Sequence, residues 1–328
     1  MLAWFQAFIT LSQQRIYIMD AQTGEQVGTA YLKAEWEKRL AKPENYTFEK
    51  SFVLIKRYEF AECNAELYLQ ANGPGTTQQV LIVLPKKLSA PAPAVAIPFY
   101  FPAAMLGFEL ESLEELPFYA GITMMTDLAK KGIITISAEA YHLTYLDLDL
   151  PRNDFARWQL SGEALKKDYP TWSGVGKLMA DTSLLIDVLE DDPRVDSGKI
   201  GIAGHSLGGK MAFYTGCFDP RIKVVLTSDF GFCWEQSNWE EIWYWGKDLE
   251  TMKKIGMEHW QLLEYSGCKP FALLAGKYDN ESSLTMILQA HKYKESPEKL
   301  CFVNHASGHR PPQDALQTGY EFLLKHLK

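Results

Sequence analysis

Six short apolar runs constrain this chain more than any other feature. They are "AVAIPFY" at 94–100, "GIITISAEA" at 132–140, "KIGIAG" at 199–204, "KVVLTS" at 223–228, "FALLAG" at 271–276 and "KLCFVN" at 299–304. Each is too short for a buried helix and too continuously apolar for a strand with one wet face, and segments of helical period separate them. Strands buried on both faces and joined by crossover helices give this pattern, so the fold class is α/β, a doubly wound and mostly parallel sheet. Upstream, "SFVLIKRYEF", "AELYLQ" and "QQVLIVLP" with turn residues between them predict an antiparallel start to the same sheet. The helical stripe of Leu178, Leu185, Val188 and Leu189 predicts the crossover into the strand at 199–204.

The domain reading is a helical N-terminal arm over 1–50, opened by an amphipathic helix in "MLAWFQAFITLSQQR", and a catalytic domain over 51–328. Two segments exceed ordinary loop length, about 141–174 and 230–265. Both follow predicted strands. Ligands of open α/β sheets bind beyond the carboxyl ends of the strands, so both are expected to wall or cover a site. The second carries Trp234, Trp239, Trp243, Tyr244 and Trp245, read as a satellite core of rings and as a pocket wall in which Trp234, Trp239 and Trp243 face substrate.

The strand at 199–204 runs into Gly204-His205-Ser206-Leu207-Gly208. A serine on a sharp strand-to-helix turn is exposed for attack on a carbonyl, provided that the flanking residues are small. The helix that starts there directs free N–H groups at a developing oxyanion, Leu207 N–H first. A serine also needs a base, and the base needs a carboxylate to hold its tautomer. His309, after the strand at 299–304, is the expected base, with His305 its rival. Asp279, after the strand at 271–276, is the expected acid, with Asp229 in "VVLTSDFG" its rival. His205 is expected to pack inside the turn, and His142, His259, His291 and His326 to be surface or loop residues.

These stretches, with "LLAGKYD" and "SGH", resemble the α/β-hydrolase superfamily, near its dienelactone hydrolase and acetyl xylan esterase-like branch, over residues 51–328. The resemblance implies hydrolysis of carboxylic esters through a serine acyl-enzyme, without a cofactor, by Ser206, Asp279 and His309. Relatives often carry a His-Gly pair after the strand matching "PAVAIP", where a backbone N–H completes the oxyanion hole. This chain has Phe99-Tyr100-Phe101 there, and Tyr100 N–H is the expected second donor.

Composition bounds the partners. A net charge of -8 with no block of lysine or arginine argues against nucleic acid, and the apolar N-terminal run is too short to span a bilayer. Five scattered cysteines without C-x-x-C spacing fit a reduced, cytoplasmic protein. No histidine pair has the spacing of a metal site and no G-x-G-x-x-G follows a strand. The expectation is therefore a small-molecule ester as partner, short acyl and above all acetyl, on a sugar or a small aryl alcohol, with room left for a homo-oligomer. An acyltransferase or a serine peptidase would use the same three residues, and a binding protein on this fold would need a broken triad.

Overall fold

The computed structural model describes residues 18–19, 26–88 and 91–328. The helix expected over 1–15 lies outside them. A nine-stranded sheet forms the centre. Its strands are β1 (Phe52–Glu59), β2 (Cys63–Gly73), β3 (Thr76–Pro85), β4 (Ala92–Ala96), β5 (Ile134–Ala138), β6 (Val195–His205), β7 (Ile222–Ser228), β8 (Phe271–Ala275) and β9 (Leu300–Asn304). The spatial order is β9-β8-β7-β6-β4-β5-β3-β2-β1. The first three strands are antiparallel, as is the β3–β5 pair, and β4 to β9 pair in parallel.

The apolar runs become strands where both faces are covered, and the edge strand β9 alone among these runs stays half-buried along its length. Every residue of β5 and β8 is buried. Helix α1 (Thr29–Leu40) lays Leu32, Trp36 and Leu40 into the same core as the sheet, and the Trp36 Nε1–H donates to Gln261 Oε1 at 2.9 Å. Helix α2 (Phe155–Asp168) starts at Asp154, whose side chain accepts from Ala156 N–H, an N-cap that satisfies a donor the helix leaves open. Helix α3 (Gly174–Asp191), capped by Ser173, buries Leu178, Leu185 and Leu189 as their spacing predicts. It delivers the chain to β6. Helix α4 (Leu207–Phe218) leaves β6 at Ser206, and α5 (Gln313–His326) closes the far face with Leu316, Tyr320 and Leu323.

The parallel strands end together, so the loops after β4, β5, β6, β7, β8 and β9 meet along one edge. The site is built there. Among the described residues no helix is long and apolar enough to cross a membrane.

Candidate active site

Ser206 has φ 55° and ψ -118°, a conformation that costs a residue with a side chain roughly 1–3 kcal/mol and persists only where the surroundings impose it. They do so through two glycines. A methyl at Gly204 would collide with the Gly208 carbonyl, and a methyl at Gly208 with the Pro98 carbonyl. Strand β6, helix α4 and the end of β4 thus approach more closely than any side chain permits. The hydroxyl is held out into a cleft of about 620 Å³, lined among others by Phe99, Tyr100, Phe118, Phe155, Trp158, His205, Ser206 and His309.

His309 lies in that cleft, and its Nδ1–H donates to Asp229 Oδ2 at 2.7 Å. This corrects the expectation for the acid: Asp229, not Asp279, holds the imidazole. Asp229 has φ 44°, which turns its carboxylate back across the end of β8. There it accepts the N–H groups of Gly276, Lys277, Tyr278 and Asp279 at 2.8–3.1 Å. Burial pushes this carboxyl up, but the His309 bond and the Asp279 and Tyr278 N–H groups outweigh it and hold it below the usual range. It is therefore an anion. Asp279 faces the other way, accepting Phe230, Gly231 and Phe232 N–H and the Ser283 hydroxyl at 2.6–3.0 Å. Burial raises its carboxyl above the ordinary range. It anchors a loop and does not touch the histidine.

With Nδ1 committed to Asp229, His309 keeps Nε2 free to accept a proton. Tyr278 packs edge-on at 4.9 Å and His205 at 4.5 Å. His205 is buried as expected, bonded to Ser228 Oγ at 3.1 Å, and burial followed by the His309 charge pushes it down to about 3. A neutral ring therefore sits beside His309. His305 bonds Ser307 Oγ at 2.8 Å and does not reach Asp229. His142 and His259, expected as surface or loop residues, are fully buried in short helices.

For the oxyanion, Leu207 is the first residue of α4, so its N–H has no partner within the helix. The Gly208–Pro98 approach sets the chain of Phe99 and Tyr100 beside it. The Tyr100 carbonyl is tied to Ala140 N–H at 3.0 Å, joining the ends of β4 and β5.

The tryptophans expected to face substrate do not. Trp234, Trp239 and Trp243 are buried, and none lines the cleft. Trp234 stacks on Trp36 at 6.1 Å and donates to the Met257 carbonyl at 2.7 Å. Trp239 donates to the Gly231 carbonyl at 2.8 Å. With Tyr244 it encloses the Lys210 ammonium, 3.8 and 4.1 Å from the two rings. The satellite-core reading describes these residues. The wall comes from the other insertion, where Trp158 stacks on Tyr100 at 4.7 Å and 19°. Trp243 supports Trp158 from behind at 5.8 Å. A lone Trp158 in a helical stretch carried no signal beside five aromatic residues within twelve positions.

Sequence and fold are both similar to those of known esterases. The family profile described as "Glucuronyl esterase, fungi" matches residues 169–269. A 4-O-methyl-glucuronoyl methylesterase of Sodiomyces alcalophilus is 32% identical over 81 residues, which cover 23% of this chain and 16% of that relative's length. Among solved structures, a glucuronoyl esterase from Solibacter usitatus superposes with TM-score 0.68 at 12% identity, covering 94% of this chain and 97% of that one. A glucuronoyl esterase from Teredinibacter turnerae gives 0.65 at 16%, covering 95% and 89%. Acetyl xylan esterase 1 from Thermoanaerobacterium gives 0.58 at 12%, covering 90% and 94%. The chain has the α/β-hydrolase fold that these structures share.

Proposed function

We propose that this α/β-hydrolase chain is a serine carboxylic-ester hydrolase acting on esters of carbohydrates. The observation that carries the reading is the convergence of three groups from three strand ends. Ser206 sits on a strained turn, His309 shares its cleft, and Asp229 is bonded to the histidine at 2.7 Å.

In this reading His309 Nε2 takes the proton as Ser206 Oγ attacks the ester carbonyl. The C=O electron pair moves onto oxygen, facing the N–H groups of Leu207 and Tyr100. Collapse expels the alcohol, protonated by His309, and leaves an acyl-serine. Water, deprotonated by the same imidazole, then releases the acid. Asp229 stays ionised throughout and stabilises the imidazolium.

For the substrate, the Trp158–Tyr100 stack takes over the role assigned in sequence to the second insertion. It closes the cleft beside Ser206, which favours short acyl groups, acetyl first, with the larger ring of the alcohol in the open part. The names of the relatives favour a second arrangement, in which a uronic acid is the acyl group. A cleft of about 620 Å³ holds a sugar ring on either side.

The test is turnover of aryl acetate, butyrate and octanoate and of a methyl glucuronate ester, by the native chain and by Ser206→Ala. Loss of the nucleophile should lower kcat by roughly 10⁴- to 10⁶-fold with the fold intact. Full activity of the variant would end the proposal, and equal turnover of octanoate and acetate would end the short-acyl part of it.

A further inference from the structure

The cleft has a mouth whose chemistry ester hydrolysis does not use. Phe118 and Phe155 are 71% and 61% exposed at its rim, and apolar rings in water at the edge of a cleft mark a surface that expects a partner. Two arginines line the same cleft. The Arg310 guanidinium lies 4.5 Å above the Phe118 ring, and the Arg152 guanidinium 5.1 Å above the Phe101 ring.

The Arg152 backbone is fixed. Its carbonyl accepts the Trp158 indole N–H at 3.0 Å. The preceding loop is stapled by Arg157, which donates to the carbonyls of Leu143, Leu148 and Leu150 at 2.7–2.9 Å. Arg310 follows His309 directly, so its position is coupled to the base. Both charges reach Tyr119, whose phenol burial pushes up and these two guanidinium groups pull back.

Other charges nearby are already engaged. Glu109 lines the cleft with its carboxylate on Leu110 N–H at 3.1 Å, and buried Glu139 accepts Gln79 N–H at 2.8 Å and feels the Arg152 charge only at longer range. Among the described residues no carboxylate comes within 4.0 Å of Arg152 or Arg310. In a chain of net charge -8, two cations that no carboxylate contacts at the mouth of a cleft are a recognition element.

We propose that the mouth binds an anionic leaving group: a ring whose face packs on Phe118 and Phe155 and whose free carboxylate is taken by Arg152 and Arg310. The inference rests on the ester-hydrolase reading and names the alcohol side of its substrate. A guanidinium presents a fork of N–H donors that matches a carboxylate. A carboxamide of the same shape offers no charge.

The experiment uses two matched pairs. One is 4-acetoxybenzoate with 4-acetoxybenzamide; the other is an acetylated methyl hexuronide with the corresponding acetylated hexoside. For the native chain, kcat/KM for the carboxylate member should exceed that for the neutral member by about tenfold. The ratio should shrink as salt rises, because partly exposed charges are screened, and approach one in Arg152→Gln/Arg310→Gln. The pair with the larger ratio shows whether the ring is aryl or sugar. Binding of the same compounds to Ser206→Ala separates this proposal from the reading beneath it. If neither member is hydrolysed but the carboxylate member still binds more tightly, ester hydrolysis fails and the anion site stands. Equal binding and turnover of both members, or a ratio unchanged in the double variant, would overturn the anion site.

Discussion

Replacing either buried aspartate by asparagine separates two roles that sequence alone does not distinguish. In Asp229→Asn the amide keeps the volume and one carbonyl oxygen for the β8 loop, but it no longer presents a charge to His309 Nδ1–H at 2.7 Å. The imidazole loses the partner that holds its tautomer and stabilises its charged form. That change lowers kcat by roughly 10³- to 10⁴-fold in a serine triad. In Asp279→Asn a carboxylate that accepts three backbone N–H groups and a hydroxyl becomes a group with one acceptor oxygen. At least one buried donor is left unpaired, at a cost of about 1–3 kcal/mol in stability, while His309 is not touched. The assay is kcat on an aryl acetate, taken with thermal unfolding of each variant. Both variants should melt several degrees lower, because Asp229→Asn likewise strips an acceptor from the N–H groups of the β8 loop, but only Asp229→Asn should lose turnover, while Asp279→Asn keeps kcat within about tenfold. The opposite assignment of losses would refute the geometry described for the acid.

Two further outcomes are expected. Gly208→Ala places a methyl against the Pro98 carbonyl and should cost about 1–3 kcal/mol or more, visible as a drop in both melting temperature and turnover; a fully active, equally stable variant would contradict the close approach. Burial, with Glu235 beside it, pushes the Glu258 carboxyl up from 4.5 to about 7, so between those values the folded chain holds a proton that the unfolded chain has released. Stability from this group is complete below about pH 4.5 and falls as pH rises to about 7. Urea unfolding of Glu258→Gln at pH 5 and pH 8 should show that decline reduced, and an unaltered slope would assign it to other groups.

Local chemistry was legible in the sequence and direction was not. The Gly204–Gly208 turn is a local demand: five consecutive residues and the strand before them are enough to place Ser206. His309 follows from a strand end and a flexible loop. The choice of acid is different, because Asp229 and Asp279 stand at the ends of neighbouring parallel strands and either could lean over the same edge. The φ of 44° at Asp229 decides it, and residue spacing carries no such angle. For a related reason the second insertion forms the satellite core its rings predict and not the pocket wall. A dense run of indoles predicts that rings will cluster, but their packing onto Trp36, Tyr214 and Lys210 requires knowing that α1 and α4 lie beneath them. The α/β sheet was legible because burial on both faces writes itself into every residue of a strand.

The crossed bonding of the two aspartates has a consequence for how this edge of the sheet moves. Asp229 belongs to the loop after β7 and holds the loop after β8, while Asp279 belongs to the loop after β8 and holds the loop after β7. Each loop is a guest of the other's carboxylate. Neither can lift without stripping acceptors from both, so residues 229–232 and 276–279 share one opening equilibrium where two would otherwise be expected. The histidine bonded to Asp229 moves with them, and the charge that holds His309 is fastened to a latch closed from both sides.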